Sequence, residues 1–503
     1  MKSDTLQDSG ADLVLFARRH PWLTTIVAVI LGGVIVFFWS EWRAEQRWQR
    51  YASEARARGV KLILADFAQP EIPDDQNFAA LPMMRAAFAN SPINRPFEMP
   101  SIGGRQRGQF PRGTSAPSLG NAMRGERIDW MNWQQFFQSV GFLTEVSDNP
   151  SHDVLRALDR HYATAFREWS EWRTRPRCRF PLNLSGGENI SPSHLGLFQM
   201  AARIFSLHLR AHLAAGDSAA AYADFQDGFQ TYRALRDEPT FISGVSRIIC
   251  LRMLLNAVGD GLQDRAWSDA DLTRIEADLS TIRVWDDWQL ALASARGGQN
   301  TIMESWLRGP MWKRGKMAAR SVSFLRGPNR NLEIAYQFCP RMVFRDNQLR
   351  KNRYLDELLA RIDTAHQTLD PDGRTPSAPS LITGGHSMLY YTLFIQSSGY
   401  YVAVEESYIE LQLAMDETRL AGALERFRAK YGAYPTGLAE LTPEFLSALP
   451  IDLYARAPYR YQRVGQTSFR LYSVGRNRRD DGGTSVPSVA ERNQLDAVWP
   501  SAP

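Results

Sequence analysis

The stretch LRAHLAAGDSAAAYADF, residues 209–225, joins two apolar patterns of helical period. Upstream the apolar positions are Leu195, Leu197, Met200, Ile204, Leu207 and Leu209. Downstream they are Ala221, Phe225, Phe229, Tyr232 and Leu235. Spacings of three and four run through the downstream set and through Leu197, Met200, Ile204 and Leu207 upstream, which is a helical period. Gly216 is a helix stop, and Asp217 is an N-cap residue type. Ala219, Ala220 and Ala221 let the second helix approach the first closely. The stretch therefore predicts a tight helical hairpin, and the same period extends outward on both sides. Val154, Leu155, Leu158, Tyr162, Ala165, Phe166, Trp169 and Trp172 form one stripe. Ile242–Gly261, a helix capped by Ser268 or Asp269, Trp285–Trp306 and Leu349–Leu369 continue it. Residues 127–369 read as an α-helical body.

Composition sets the frame. The chain has 503 residues, of which 22% are charged and 44% apolar, which excludes wholesale disorder. The 59 Lys and Arg exceed the 54 Asp and Glu by only five, too weak an excess to call for nucleic acid. Mean hydropathy is negative, so a polytopic membrane protein is excluded. One segment breaks that average. Residues 21–40, PWLTTIVAVILGGVIVFFWS, carry no charge. As a helix they span roughly 30 Å, the thickness of the hydrocarbon core. Trp22 and Trp39 mark the interfaces, Arg18, Arg19 and His20 close one side, and Glu41 and Arg43 close the other. No small-residue cleavage site follows, so an uncleaved anchor is expected rather than a signal peptide.

Around these landmarks the chain divides into an N-terminal tail 1–20, a transmembrane helix 21–40, and a membrane-proximal helix 41–68. A Pro/Gly-rich extended segment 69–126 follows. It is expected to wrap the body through Phe78, Met83, Met84, Phe88 and Phe97, or else to be a disordered linker. Beyond the body come a linker and apolar helix, 370–404. The uncharged run within it is either a buried helix or a second span. Basic residues in 308–332 read as a solvated loop.

Chemistry is sparse. His208 and His212 stand at i,i+4, which is metal-ligand spacing, but His-Leu-Arg-Ala-His lacks the glutamate of a zinc-hydrolase helix. The pair is read as structural or surface histidines. Asp286 and Asp287 are adjacent, so they face different ways and are read as solvated. Cys178, Cys250 and Cys339 are too scattered for a zinc motif and are read as free thiols. No catalytic constellation is visible.

The hairpin resembles a tetratricopeptide unit in its G-D-S-A-A-A turn, in Phe225 four residues beyond Ala221, and in Gly228-Phe229. Residues 405–503 form a further α+β module. A long helix stops at Tyr431-Gly432, and strand patterns follow at Tyr459–Val464, Ser468–Val474 and LDAVW (495–499). Tyr431, Gly432, Tyr434, Pro435, Pro450, Asp452, Pro458, Tyr459, Tyr461, Leu471, Tyr472, Ser473, Gly475 and Asp480-Asp481-Gly482-Gly483 resemble the C-terminal domain of the type II secretion major pseudopilin. That resemblance implies calcium held through the acidic loop, here Asp480 and Asp481; a plain acidic turn is the other reading. The further aspartates of that loop are missing after Gly483, and Asp496 is distant in sequence. No prepilin cleavage motif precedes Trp22.

The soluble part also resembles a group of membrane-anchored bacterial proteins with a helical body and this tail. Pro73–Phe78, the hairpin and Glu238-Pro239 carry that likeness, which implies no activity. The expected fold is mainly α, with an N-terminal transmembrane helix, a tetratricopeptide-like body and a small pseudopilin-like α+β module. The expected role is a non-enzymatic envelope scaffold with a protein partner, no cofactor beyond that calcium, and no nucleic acid. A hydrolase with its site between body and module, or a component related to type II secretion, are the alternatives. Counting Lys and Arg leaves the orientation open; the chain is expected in the bacterial inner membrane with its bulk in the periplasm.

Overall fold

Helix α1 (Pro21–Ala57) changes character along its length. Its first part, from Trp22 to Trp39, exposes its large apolar side chains on every side, and it is long and apolar enough to cross a membrane. Its second part buries Ala44, Trp48, Tyr51, Ala52 and Ala55, a stripe at spacings of three and four.

The computed structural model describes residues 19–89, 96–99, 116–121, 126–184, 192–313, 315–316, 330–370, 387–484 and 496–499, with backbone alone at 330–332 and 387–399. Residues 1–18 of the N-terminal tail, most of the basic 308–332 stretch, and residues 371–386 of the linker, His386 included, lie outside the described residues. So do the side chains of the uncharged run before Tyr400.

Among the described residues the chain is mainly helical. After α1 come α2 (Pro82–Phe88), α3 (Trp130–Ser139), α4 (Pro150–Trp169), α5 (Leu195–Ala214) and α6 (Ser218–Arg233). Then come α7 (Phe241–Gln263), α8 (Asp269–Ser280), α9 (Val284–Arg308), α10 (Arg330–Gln337), α11 (Arg341–Leu359) and α12 (Ser387–Tyr431). The strands are short: β1 (Ile362–Asp363), β2 (Thr368–Leu369), β3 (Ile451–Asp452), β4 (Ala457–Pro458), β5 (Arg460–Val464), β6 (Ser468–Ser473) and β7 (Ala497–Trp499).

The chain forms two units. The first draws on Met1–Ile63, Gln299–Leu355 and Ala378–Ser398. In it Trp48, Tyr51, Ala52 and Ala55 pack with Leu62 and Leu349. Asn300 and Asn352 exchange amide hydrogen bonds of 2.8 and 3.0 Å, and Asn300 also donates to the Leu62 carbonyl at 2.9 Å. Buried Arg345 bridges Glu45, at 2.7 Å, and Glu304. The membrane-proximal helix does not run to residue 68. It ends at Ala57, where the Val60 amide donates back to the Ala55 carbonyl at 3.0 Å and turns the chain.

The second unit draws on Leu64–Gly298, Asp356–Ser377 and Gly399–Pro503. The predicted hairpin is present as α5 and α6. Gly216 takes φ +79°, which favours glycine, and the Asp217 side chain accepts from the Ala220 amide at 2.9 Å. Side-chain caps of the same kind start α3 (Asp129), α4 (Asn149), α7 (Thr240) and α8 (Ser268). Helices α5, α6 and α7 converge at Gly228. A Cβ there would run into Leu254 Cδ2 and stand 3.2 Å from Phe205 Cβ. α7 is also apolar enough to cross a membrane, but most of its length is buried inside this unit. Phe78, Met83, Met84 and Phe97, from the Pro/Gly-rich segment, are fully buried in the same core as Trp133, Trp169 and Phe205.

Two further expectations need correction. The last body helix ends at Leu359, not Leu369. The Asp363 carboxylate accepts from the amides of Ala365 and His366 at 3.0 Å, a side-chain turn that competes with helix and closes the β1–β2 hairpin. The apolar helix and the helix of the C-terminal module are one 45-residue element, α12. Residues 399–503 also belong to the second unit rather than standing apart. Beyond α12, β5, β6 and β7 form an antiparallel sheet in which Leu471 lies opposite both Tyr461 and Trp499. Arg419 fastens α12 to α8 through Glu276 at 2.7 Å.

On α12 Asp416 is buried, accepting from Gln412 at 3.0 Å and from the Tyr459 hydroxyl at 3.2 Å. Burial, reinforced by the Asp452 charge, raises its carboxyl from 3.8 to about 7. Folded Asp416 thus holds its proton where the unfolded chain has lost it, and stability declines as pH rises from 3.8 to about 7. Asp416→Asn is expected to remove this part of the decline, on the order of a few kcal/mol. Urea unfolding of the full chain in detergent at acidic and neutral pH checks it; an equally steep decline in the variant would refute the assignment.

Candidate functional site

Helix α5 presents His208 and His212 on one face because they are four residues apart. The Gly216-Asp217 turn folds α6 back along α5, so Asp224 stands opposite both rings. α4 adds Asp159 from the third side. Nδ1 of His208 lies 2.9 Å from Asp224 Oδ1, and its Nε2 lies 3.0 Å from Asp159 Oδ1. Nε2 of His212 lies 3.8 Å from Asp224 Oδ2, too long for a hydrogen bond. The two imidazoles meet edge to face at 4.5 Å, and Phe166 stacks on His208 at 4.8 Å. Asp224 is 7% exposed, and its Oδ2 is buried without a hydrogen-bond donor.

The two rings titrate differently. Burial disfavours a charge on His208, but Asp224 and Asp159 outweigh it and raise the imidazole to about 9. Burial lowers His212, opposed by the Asp224 charge and aided by the His208 charge. At neutral pH the site therefore pairs an imidazolium with a neutral imidazole. Among the described residues no hydroxyl or thiol hydrogen-bonds to either ring, so no nucleophile is aligned with a base here. Arg210, between the histidines in sequence, is directed to Asp260 instead.

The sequence-predicted acidic loop is held differently. Asp480 accepts from the Tyr472 hydroxyl at 2.8 Å, from the Gly482 amide at 3.1 Å and from Arg460 at 3.0 Å. Asp481 accepts from Asn477 at 2.8 Å. The sheet returns Asp496 to this loop, where it accepts from the Gly483 amide at 2.8 Å. Asp286 and Asp287 do face different ways. Asp287, however, is buried rather than solvated, paired with Arg247 at 2.8 Å and with the Tyr232 hydroxyl. None of the three cysteines is in a disulfide.

A cleft of about 500 Å³ opens elsewhere in the second unit. Its apolar lining includes Phe67, Ile72, Phe88, Phe180 and Leu182. Its charged lining comprises the carboxylates of Glu71, Asp74, Asp237 and Glu238 and the guanidinium groups of Arg85 and Arg179. Arg85 pairs with Asp74 at 2.6 Å, and Arg179 donates to the Pro70 carbonyl. The lining is therefore net acidic. One wall is extended chain fixed by the Asn77–Arg177 bridge, with the Phe78 amide donating to the Arg177 carbonyl at 2.7 Å. Glu238 is braced by His194 at 2.9 Å, whose ring stacks on Phe180 at 4.0 Å. Burial, with the Glu238 and Asp237 charges, raises the Cys178 thiol well above its ordinary value. It stays protonated and is not a thiolate nucleophile.

Comparison with protein-family models, with curated proteins and with solved structures gives no match. Sequence reading found His208 and His212 but missed Asp224 and Asp159. The available signal was the turn: a histidine pair just before Gly216-Asp217 faces the first turns of the returning helix. Asp159 had no local signal, because it comes from a separate helix. The cleft likewise joins residues far apart in the chain.

Asp224→Asn is expected to lower the His208 titration midpoint from about 9 by more than one pH unit. Histidine-selective NMR of the detergent-solubilised chain reads it; an unmoved midpoint would show that Asp224 does not set the charge of this ring.

Proposed function

We propose that the protein is a single-pass, membrane-anchored scaffold that binds a partner protein without catalysis. The carrying observation is the cleft of about 500 Å³, whose apolar and net-acidic lining suits an extended segment with apolar and basic side chains. Its lining offers recognition chemistry, while its cysteine is held as an inert thiol. The exposed apolar helix Pro21–Trp39 supports the anchor, and anchoring confines encounters to one membrane surface.

In this reading the bulk lies in the periplasm on the bacterial inner membrane. The α5–α6 hairpin is tetratricopeptide-like, and residues 405–503 form a pseudopilin-like tail. Calcium at that tail would draw on Asp481 and Asp496 rather than on Asp480, whose oxygens already have donors.

The test is photo-crosslinking from Ile72 or Leu182 in the full chain in native membranes. A discrete protein adduct is expected at both positions. It should weaken about tenfold when Glu71 and Asp237 are replaced by Lys, and it should weaken as salt screens the acidic lining. Absence of an adduct, or an adduct indifferent to these charge reversals, would overturn the cleft as the binding site.

A further inference from the structure

We propose that His208, His212 and Asp224 form a site for a divalent transition-metal cation of zinc type, with Asp159 as the outer carboxylate that orients His208. One donor atom from each of the three residues lies within 4.8 Å of the other two. Zinc–nitrogen and zinc–oxygen bonds are about 2.0–2.2 Å, so tetrahedral ligand atoms stand about 3.3–3.5 Å apart. Closing the site takes small rotations of side chains already on facing helices. The donor set of two imidazoles and one carboxylate is a zinc set, and it leaves a fourth position for water. The side chains of His212 (18% exposed) and Asp159 (57%) give that position a route to solvent.

The independent observation is Asp224 Oδ2. It is a carboxylate oxygen buried without a donor, on the side that faces His212. Leaving such an oxygen desolvated and unpaired is costly, and a cation relieves it. The His208 arrangement also fits. With the metal on Nδ1, Nε2–H of His208 donates to the Asp159 carboxylate at 3.0 Å, the carboxylate–histidine–metal relation that fixes a ring's tautomer. The proton on Nδ1, now shared with Asp224 at 2.9 Å, is the one the metal displaces. Asp217 is the further carboxylate whose charge reaches His212, and Arg210 is neutralised by Asp260.

The experiment uses the untagged full chain in detergent, stripped with EDTA and titrated with Co²⁺ and then Zn²⁺. One equivalent of Co²⁺ is expected to give the visible absorption of tetrahedral cobalt, to be displaced by Zn²⁺, and to raise the thermal midpoint. His212→Gln should abolish the cobalt spectrum while the metal-free chain still unfolds in a cooperative thermal transition. Asp159→Asn should keep the spectrum but weaken Zn²⁺ binding about 10–100-fold. Absence of stoichiometric cobalt binding by the unmodified chain, or an unchanged spectrum in His212→Gln, would overturn the site.

Discussion

The close approach of α5, α6 and α7 at Gly228 is the constraint on which the second unit depends. Helices pack about 8–10 Å apart, according to the side chains at the contact. With no side chain at Gly228, Leu254 and Phe205 fill the space a Cβ would take. The turn at Gly216-Asp217 delivers α6 to that contact, and its cap satisfies an amide that the turn would otherwise leave unpaired. The same register brings Asp224 opposite His208 and His212. The packing constraint and the candidate metal site are thus two results of one hairpin geometry.

Charged groups buried beside this contact sharpen the fold rather than adding much to its stability. Arg210 meets Asp260 between α5 and α7, and Arg247 meets Asp287 between α7 and α9. Desolvation offsets most of the attraction in such pairs, while losing one partner strands the other charge. Arg247 also lies over the Tyr232 ring at 4.2 Å and donates to the Tyr232 carbonyl at 3.1 Å. Such a network penalises any helix register other than this one, because a one-residue rotation would leave several charges unpaired.

Much of the fold was legible locally. Gly216, Asp217, Thr240 and Ser268 announce helix ends because cap chemistry involves neighbours in sequence. The site was legible in half. His208 and His212 share a face by helix period alone, while Asp224 and Asp159 joined them through packing. Asp363 defeated the reading of the helix end, since its side-chain turn outcompeted an otherwise helical pattern. Asp287 defeated the reading of solvation, since its partners lie on α6 and α7, about forty to fifty-five residues earlier.

By itself the sequence determined the apolar span of residues 21–40, the helical body, the α5–α6 turn and the β5–β6 strands. Each rests on composition or on a period within one element. The tertiary structure decided which carboxylates meet the histidine pair, that Asp496 returns to the acidic loop, and that the Pro/Gly-rich segment buries Phe78, Met83 and Met84. It also decided that a net-acidic cleft opens among residues 67–88, 178–184 and 237–239. Those outcomes depend on contacts across tens to hundreds of residues, where no local period carries information.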